Sequence, residues 1–124
     1  MWIRDKIFIE LIDLISPLYK KELHAIILQD KLIGNLMKDD LIYIKKINCK
    51  GEVIVIGDIH SSLHSLWRII DRLIQQGYLQ PDLKLTRSSD RLIFLGDLLD
   101  RGPYGVEVLV TALLLKYQNF DQVD

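Results

Sequence analysis

Apolar residues recur at helical spacing from the start of the chain. Ile3, Ile7, Leu11, Leu14, Ile15 and Leu18 form one stripe, with Arg4, Asp5, Lys6, Glu10 and Asp13 elsewhere. That pattern predicts an amphipathic helix over 3–18, broken near its end by Pro17. A second helical pattern follows through Leu23, Ile26, Ile27, Ile33, Leu36 and Met37, weakened late by Gly34, and Asp39-Asp40 marks a turn. From Leu41 the period shortens. Leu41–Ile44 with Ile47 reads as a strand, and Asn48-Cys49-Lys50-Gly51 as a turn. Val53-Ile54-Val55-Ile56 is wholly apolar and β-branched, the composition of a strand covered on both faces. Ser61 or Ser62 can cap a helix built on Leu66, Ile69, Ile70, Leu73 and Ile74, with Gly77 at its C-terminal end. Residues 80–90 read as a loop. Leu92-Ile93-Phe94-Leu95 is a second apolar strand. Pro103 suits a helix entrance, and Val106, Leu109, Val110, Leu113 and Leu114 carry a helix to about Tyr117. Phe120–Asp124 reads as a third strand beginning. Strand, turn and helix alternate, so the fold class is α/β with a largely parallel sheet, preceded by two helices.

Composition narrows the class. Of 124 residues, 49% are hydrophobic and 27% charged, with seven Gly and three Pro, which excludes a disordered or collagen-like chain. Sixteen Lys and Arg against seventeen Asp and Glu leave a net charge of -1, so no footprint for nucleic acid or an anionic membrane is visible. Cys49 is the single cysteine and forms no internal disulfide. Charges interrupt every apolar run near the N-terminus, unlike a signal peptide. The most apolar stretch, Val106 to Leu115, contains Glu107 and is far shorter than a membrane span. The expectation is a soluble cytoplasmic chain; delivery by a specialised secretion system would leave the same signature.

Each apolar strand ends in Gly-Asp. The first turn is Gly57-Asp58-Ile59-His60 and the second Gly96-Asp97-Leu98-Leu99-Asp100-Arg101-Gly102. In α/β folds ligands bind outside the carboxyl ends of the strands, where both turns fall. Asp58 and His60 are two apart, so extended geometry points them the same way. Two carboxylates and an imidazole suit Mn, Fe or Zn better than Mg or Ca. A lone Gly-Asp turn is ordinarily just a loop; the conjunction of two carries the signal. His64 reads as an ordinary helix residue, His24 as structural and Trp67 as core. Arg68, Asp71 and Arg72 read as a solvated face.

These motifs resemble the serine/threonine-protein-phosphatase-like branch of the calcineurin-like metallophosphoesterases, whose signature is GDxHG, GDxxDRG and GNHE, then two further histidines. Gly57–His60 matches the first motif and Gly96–Gly102 the second in full, and the resemblance covers about residues 41–124. It implies an α/β/β/α sandwich and hydrolysis at two divalent metal ions. Asp58 and His60 would bind the first metal and Asp97 would bridge both. Arg101 would grip the substrate phosphate, and Asp100 would hold the site's geometry, in the family by pairing with the catalytic histidine. Substrates would be phosphorylated proteins or small phosphoesters.

The sequence departs from that pattern in three ways. Ser61 stands where the family has glycine. Asp58 and Asp97 are further apart than in compact eukaryotic members, with 78–90 as the extra loop, an arrangement closer to bacterial members. No Asn-His-Glu occurs in the sequence. The expectation is therefore a helical segment over 1–40 and the N-terminal half of a metallophosphoesterase domain over 41–124, cut before GNHE. That half holds at most one well-formed metal site. The alternatives are a non-catalytic half-domain that needs a complementary chain, and a dinucleoside-polyphosphate hydrolase.

Overall fold

The computed structural model describes residues 3–33, 47 and 49–124, with side chains for 6–21, 47 and 49–124. The chain divides into two compact units, Met1–Ile47 and Asn48–Asp124. In the first, one helix, α1, runs over Ile3–Ile33 with Pro17 inside it. The expected break at Pro17 and the separate second helix are thus corrected. A mid-helix proline forfeits one backbone hydrogen bond and crowds the carbonyl four residues back, costing ~3 kcal/mol, and here the helix runs on through that cost. Leu11 and Ile15, one turn apart, are buried, whereas Ile7 and Leu14 of the same stripe are exposed. The later part of the second helical pattern and the strand expected over 41–44 lie outside the described residues.

The second unit runs β1 (Val53–Ile56), α2 (Leu63–Gln75), β2 (Arg91–Phe94) and α3 (Gly105–Gln118). The strands pair in parallel, Val53 against Arg91 through Ile56 against Phe94. On the far side of β2, Val123 bridges Leu92 in parallel. There the Leu92 amide donates to the Gln122 carbonyl (2.8 Å), and the Asp124 amide donates to the Leu92 carbonyl (2.9 Å). The third strand expected at the end of the chain therefore begins beside β2, which becomes the central strand.

Helix α2 follows its sequence closely. The Ser62 hydroxyl caps its N-terminus by accepting from the Ser65 amide. At its C-terminus the Gly77 amide donates to the Ile74 carbonyl and the Tyr78 amide to the Leu73 carbonyl. This closure needs a left-handed residue, and Gly77 supplies φ +79°. Leu66, Ile70 and Leu73 are buried against the sheet side of a core that includes Ile56, Ile59, Leu79, Leu92, Val108, Leu115 and Val123.

Two core expectations are corrected, and in α3 the structure makes a choice that the pattern left open. Val53 and Val55 are about half exposed, so β1 is covered on one face only, the face of Ile54 and Ile56. Side chains alternate across a strand, and four apolar residues in a row cannot reveal that one face stays open. Trp67 is also about half exposed, although its neighbour Leu66 and Ile70 one turn on are buried. In α3 the buried stripe is Val108, Thr111, Ala112 and Leu115, whereas Val106 is exposed and Leu109, Val110, Leu113 and Leu114 are half-buried. That helix is apolar nearly all round, so periodicity alone does not choose its inward face.

Polar networks hold the end of the sheet opposite the strand tips. Asp90 is fully buried; its Oδ1 accepts from the Glu52 amide (3.0 Å) and its Oδ2 from Arg87 Nε (2.9 Å). The stretch read as a loop is pinned to α3 by the buried Asn119. Its Oδ1 accepts from the Leu85 amide (2.7 Å), and its Nδ2 donates to the Leu83 (2.7 Å) and Leu115 (2.9 Å) carbonyls. Lys116, also buried, donates to the Val123 carbonyl (2.6 Å), so its charge does not go unsolvated.

Candidate metal centre

Both Gly-Asp turns leave the sheet at the same end. The Leu95 amide donates to the Ile56 carbonyl (2.9 Å), and beyond it the loops join through their backbones. The amides of Ile59 (3.3 Å) and His60 (2.7 Å) both donate to the Asp97 carbonyl, and the Ser61 amide donates to the Leu98 carbonyl (2.8 Å). This lacing holds unusual backbone. Among the described non-glycine residues, φ is positive at His60, Ser61, Leu83, Asp97 and Arg101, and all but Leu83 lie in the two turns or directly beside them. Left-handed conformations cost L-residues roughly 1–2 kcal/mol each and persist only where neighbouring structure enforces them.

The strain brings chemistry together. One ligand atom each from Asp58, His60 and Asp97 lies within 4.8 Å of the others. His60 Nε2 is 3.7 Å from Asp58 Oδ2. Two carboxylates and an imidazole are donors that a divalent transition metal accepts, and their convergence on a solvent-open strand end fits such an ion. The three residues expected to ligate are therefore neighbours in space.

Asp100 and Arg101 lie in the same loop. Asp100 Oδ1 is hydrogen-bonded to Nδ1 of His60, and Asp100 Oδ2 is 3.3 Å from Arg101 Nε. The hydrogen bond from His60 is the main cause that holds the Asp100 carboxyl below the ordinary carboxylate range, and the nearby Arg101 charge adds to it. The Arg101 side chain is otherwise open to solvent. His64 stands outside the cluster, edge-to-face on Tyr104 with ring centroids 5.6 Å apart. Cys49 is at the other end of the sheet, its thiol donating to the Ser89 carbonyl (3.2 Å).

Two features were not legible in the sequence. One is the Asp100–His60 pair, which joins residues far apart in the chain and carries no local signal. The other is the floor under the loops. Ser61 is fully buried, its Oγ has no hydrogen-bond partner, and Gly102 and Gly105 close over it. The repeated glycines around Asp-Arg-Gly were the available hint of a close backbone approach.

Two motif loops on a parallel sheet, strained and laced so that carboxylates and an imidazole converge, define a candidate metal centre. The sequence signature of the calcineurin-like phosphoesterases matches residues 51–123, and the chain belongs to that family. It is 30% identical over 96 residues to a Caenorhabditis elegans protein named as a serine/threonine-protein phosphatase, C06A1.3, covering 75% of this chain and 23% of that one. It is 36% identical over 66 residues to the bis(5'-nucleosyl)-tetraphosphatase PrpE of Anoxybacillus flavithermus, covering 52% of this chain and 26% of that one. The chain thus spans about a quarter of the length of these curated relatives. No solved structure matches. Among the described residues no helix is long and apolar enough to cross a membrane.

Proposed function

We propose that this chain carries the first half of a metal-dependent phosphoesterase site that hydrolyses phosphomonoesters, with phosphorylated serine or threonine in proteins as the substrate. The observation that carries the reading is the convergence of Asp58, His60 and Asp97 within 4.8 Å. Asp58, His60 and Asp97 would hold the divalent metal, with Asp58 and His60 serving the first of two ions and Asp97 available to both. Bound divalent Mn, Fe or Zn would supply a water of lowered pKa and neutralise charge on the phosphate. Arg101, tethered on one side by Asp100, keeps its remaining donors for phosphate oxygens, which a guanidinium meets in a planar fork. The remaining ligands and the catalytic histidine come from a GNHE-bearing segment, in cis or on a complementary chain. In this reading residues 1–40 form a helical segment ahead of the half-domain at 41–124. The balanced charge and single cysteine favour a cytoplasmic setting.

A second reading, hydrolysis of dinucleoside polyphosphates, is favoured by the 36% identity to PrpE over 66 residues. Isothermal titration of the chain with Mn2+ tests the site itself: uptake should be lost in Asp97→Asn, and equal uptake by both proteins would sink the reading. On the polypeptide that also bears GNHE, parallel assays with a phosphopeptide and diadenosine tetraphosphate then separate the substrates.

A further inference from the structure

We infer that Leu99, Tyr104 and Trp67 form an apolar seat beside Arg101 for the substrate residue next to the phosphorylated one, so that the site prefers phosphopeptides with a large apolar neighbour. The occupant, a phosphopeptide held at Arg101, rests on the function proposed above; the seat adds where its selectivity lies.

All three side chains are exposed, Leu99 and Trp67 by about half and Tyr104 by about two-fifths. Single exposed apolar residues are ordinary on a protein surface, but these are grouped. Tyr104 meets the His64 ring edge-to-face, and Trp67 lies one turn beyond His64 on the same side of α2. The loop that carries Leu99 closes onto the start of α3, where a Cβ at Gly105 would stand 3.3 Å from the Leu99 carbonyl oxygen. Leu99 and Tyr104 therefore flank Arg101 near the two ends of one closed loop, and the first turns of α2 adjoin it. Three residues of chain span at most about 10 Å, so both side chains stay within reach of the residues adjoining a phosphate on Arg101.

Charge decides among the occupants. Across the two loops, 57–64 and 96–105, Asp58, Asp97 and Asp100 stand against Arg101, the single Lys or Arg there. One guanidinium matches one phosphoryl group. The tetraphosphate chain of a dinucleotide brings more negative charge than Arg101 offsets, and the same carboxylates repel Asp or Glu beside the phosphorylated residue. A neutral apolar side chain meets no such repulsion and gains contact with the Tyr104 and Trp67 rings.

The test is a titration of the full chain followed in 1H–15N spectra at the Arg101 Nε–H and at the Trp67 indole N–H, which Trp67→Phe assigns. Two phosphoserine peptides differ only in having Phe or Gly on both sides of the phosphoserine; diadenosine tetraphosphate is the third ligand. Both phosphopeptides should shift Arg101, and the Phe peptide alone should shift Trp67. The Phe peptide should also bind roughly 2–10-fold more tightly than the Gly peptide. In Tyr104→Ala that preference should shrink toward equality. Equal affinities in wild type, with Arg101 shifted by both peptides, overturn the seat while leaving the phosphate role of Arg101 standing, whether or not Tyr104→Ala folds. A full preference in folded Tyr104→Ala overturns the seat as well. If diadenosine tetraphosphate shifts Trp67 at lower concentration than the Phe peptide does, the rings stack a base and the peptide seat is overturned. If neither phosphopeptide shifts Arg101, the phosphopeptide reading itself falls, and the seat with it.

Discussion

The backbone amide of His60 donates to the backbone carbonyl of Asp97 across 2.7 Å. Two residues expected to share a metal are thus joined before any ligand arrives, through main-chain atoms that substitution of their side chains leaves in place. Positioning and chemistry are therefore separable here. The side chains of Asp58, His60 and Asp97 offer the ligand atoms, while the lacing and the small residues beneath it set where those atoms stand.

Gly102 is the first test of that separation. A Cβ built at this position would fall 2.6 Å from the His60 carbonyl oxygen and 2.9 Å from the Ser61 Cβ. Neither neighbour is a flexible side-chain tip, so the two loops must part to admit a methyl group. Overpacking of this kind costs about 1–3 kcal/mol. Gly102→Ala should lower Tm by roughly 5 °C or more. It should also weaken Mn2+ uptake although every ligand remains. An unchanged melting curve would mean that the loops do not meet as described.

Ser61 argues in the opposite direction. It occupies φ +58° with its hydroxyl buried and unpartnered. The left-handed backbone costs about 1–2 kcal/mol and an orphaned hydroxyl about 1–3 kcal/mol. Glycine removes both and returns about 0.5–1 kcal/mol through the entropy of the unfolded chain. Ser61→Gly should therefore be stabilising by about 1 kcal/mol or more in urea denaturation. Ser61→Ala, which relieves only the hydroxyl, should gain less. A destabilised Ser61→Gly would show that the hydroxyl has a partner in solution.

The parts of this architecture that local pattern encodes were legible. Val53–Ile56 and Leu92–Leu95 announce strands because short apolar runs end in Gly-Asp, and that punctuation places Asp58 and Asp97 at strand tips. Ser62 and Gly77 delimit α2 through capping chemistry that needs no tertiary information. What pattern leaves open is choice among equivalents. Helix α3 has apolar residues on every side, so Val108 and Leu115 face inward for reasons of packing alone. Pro17 raises the cost of a helix without forbidding it. The partner of Asp100 depends on two distant loops meeting, a relation that no local window contains.

Tyr78 supplies a pH dependence at the other end of the sheet. Its hydroxyl donates to Glu52 Oε2 (2.6 Å), and the Glu52 carboxylate holds the phenol pKa above its ordinary value, with Arg87 opposing by its charge. A pKa raised on folding means that the native state keeps its proton while the unfolded state loses it. The contribution is complete below about pH 10 and is lost as pH rises through the folded value. Stability should therefore fall more steeply above about pH 10 in wild type than in Tyr78→Phe. Urea midpoints across that range, with phenolate absorbance as a monitor, decide the matter; parallel slopes would exclude the bond.

Asn119 predicts a large stability effect away from the metal centre. Its side chain satisfies the Leu85 amide and the Leu83 and Leu115 carbonyls, so one buried amide group ties residues 83–85 to the end of α3. Asn119→Ala strands these groups where water reaches them poorly, and each unpaired buried group costs about 1–3 kcal/mol. Partial rehydration should hold the total to about 2–4 kcal/mol. Asn119→Asp should also be destabilising, since it keeps an acceptor for Leu85 but turns a second oxygen toward two carbonyls. Hydrogen exchange localises the effect: the Leu85 amide should lose protection in Asn119→Ala and retain part of it in Asn119→Asp. Equal loss in both variants would place the energy in the bonds from Nδ2 rather than in the one accepted from Leu85.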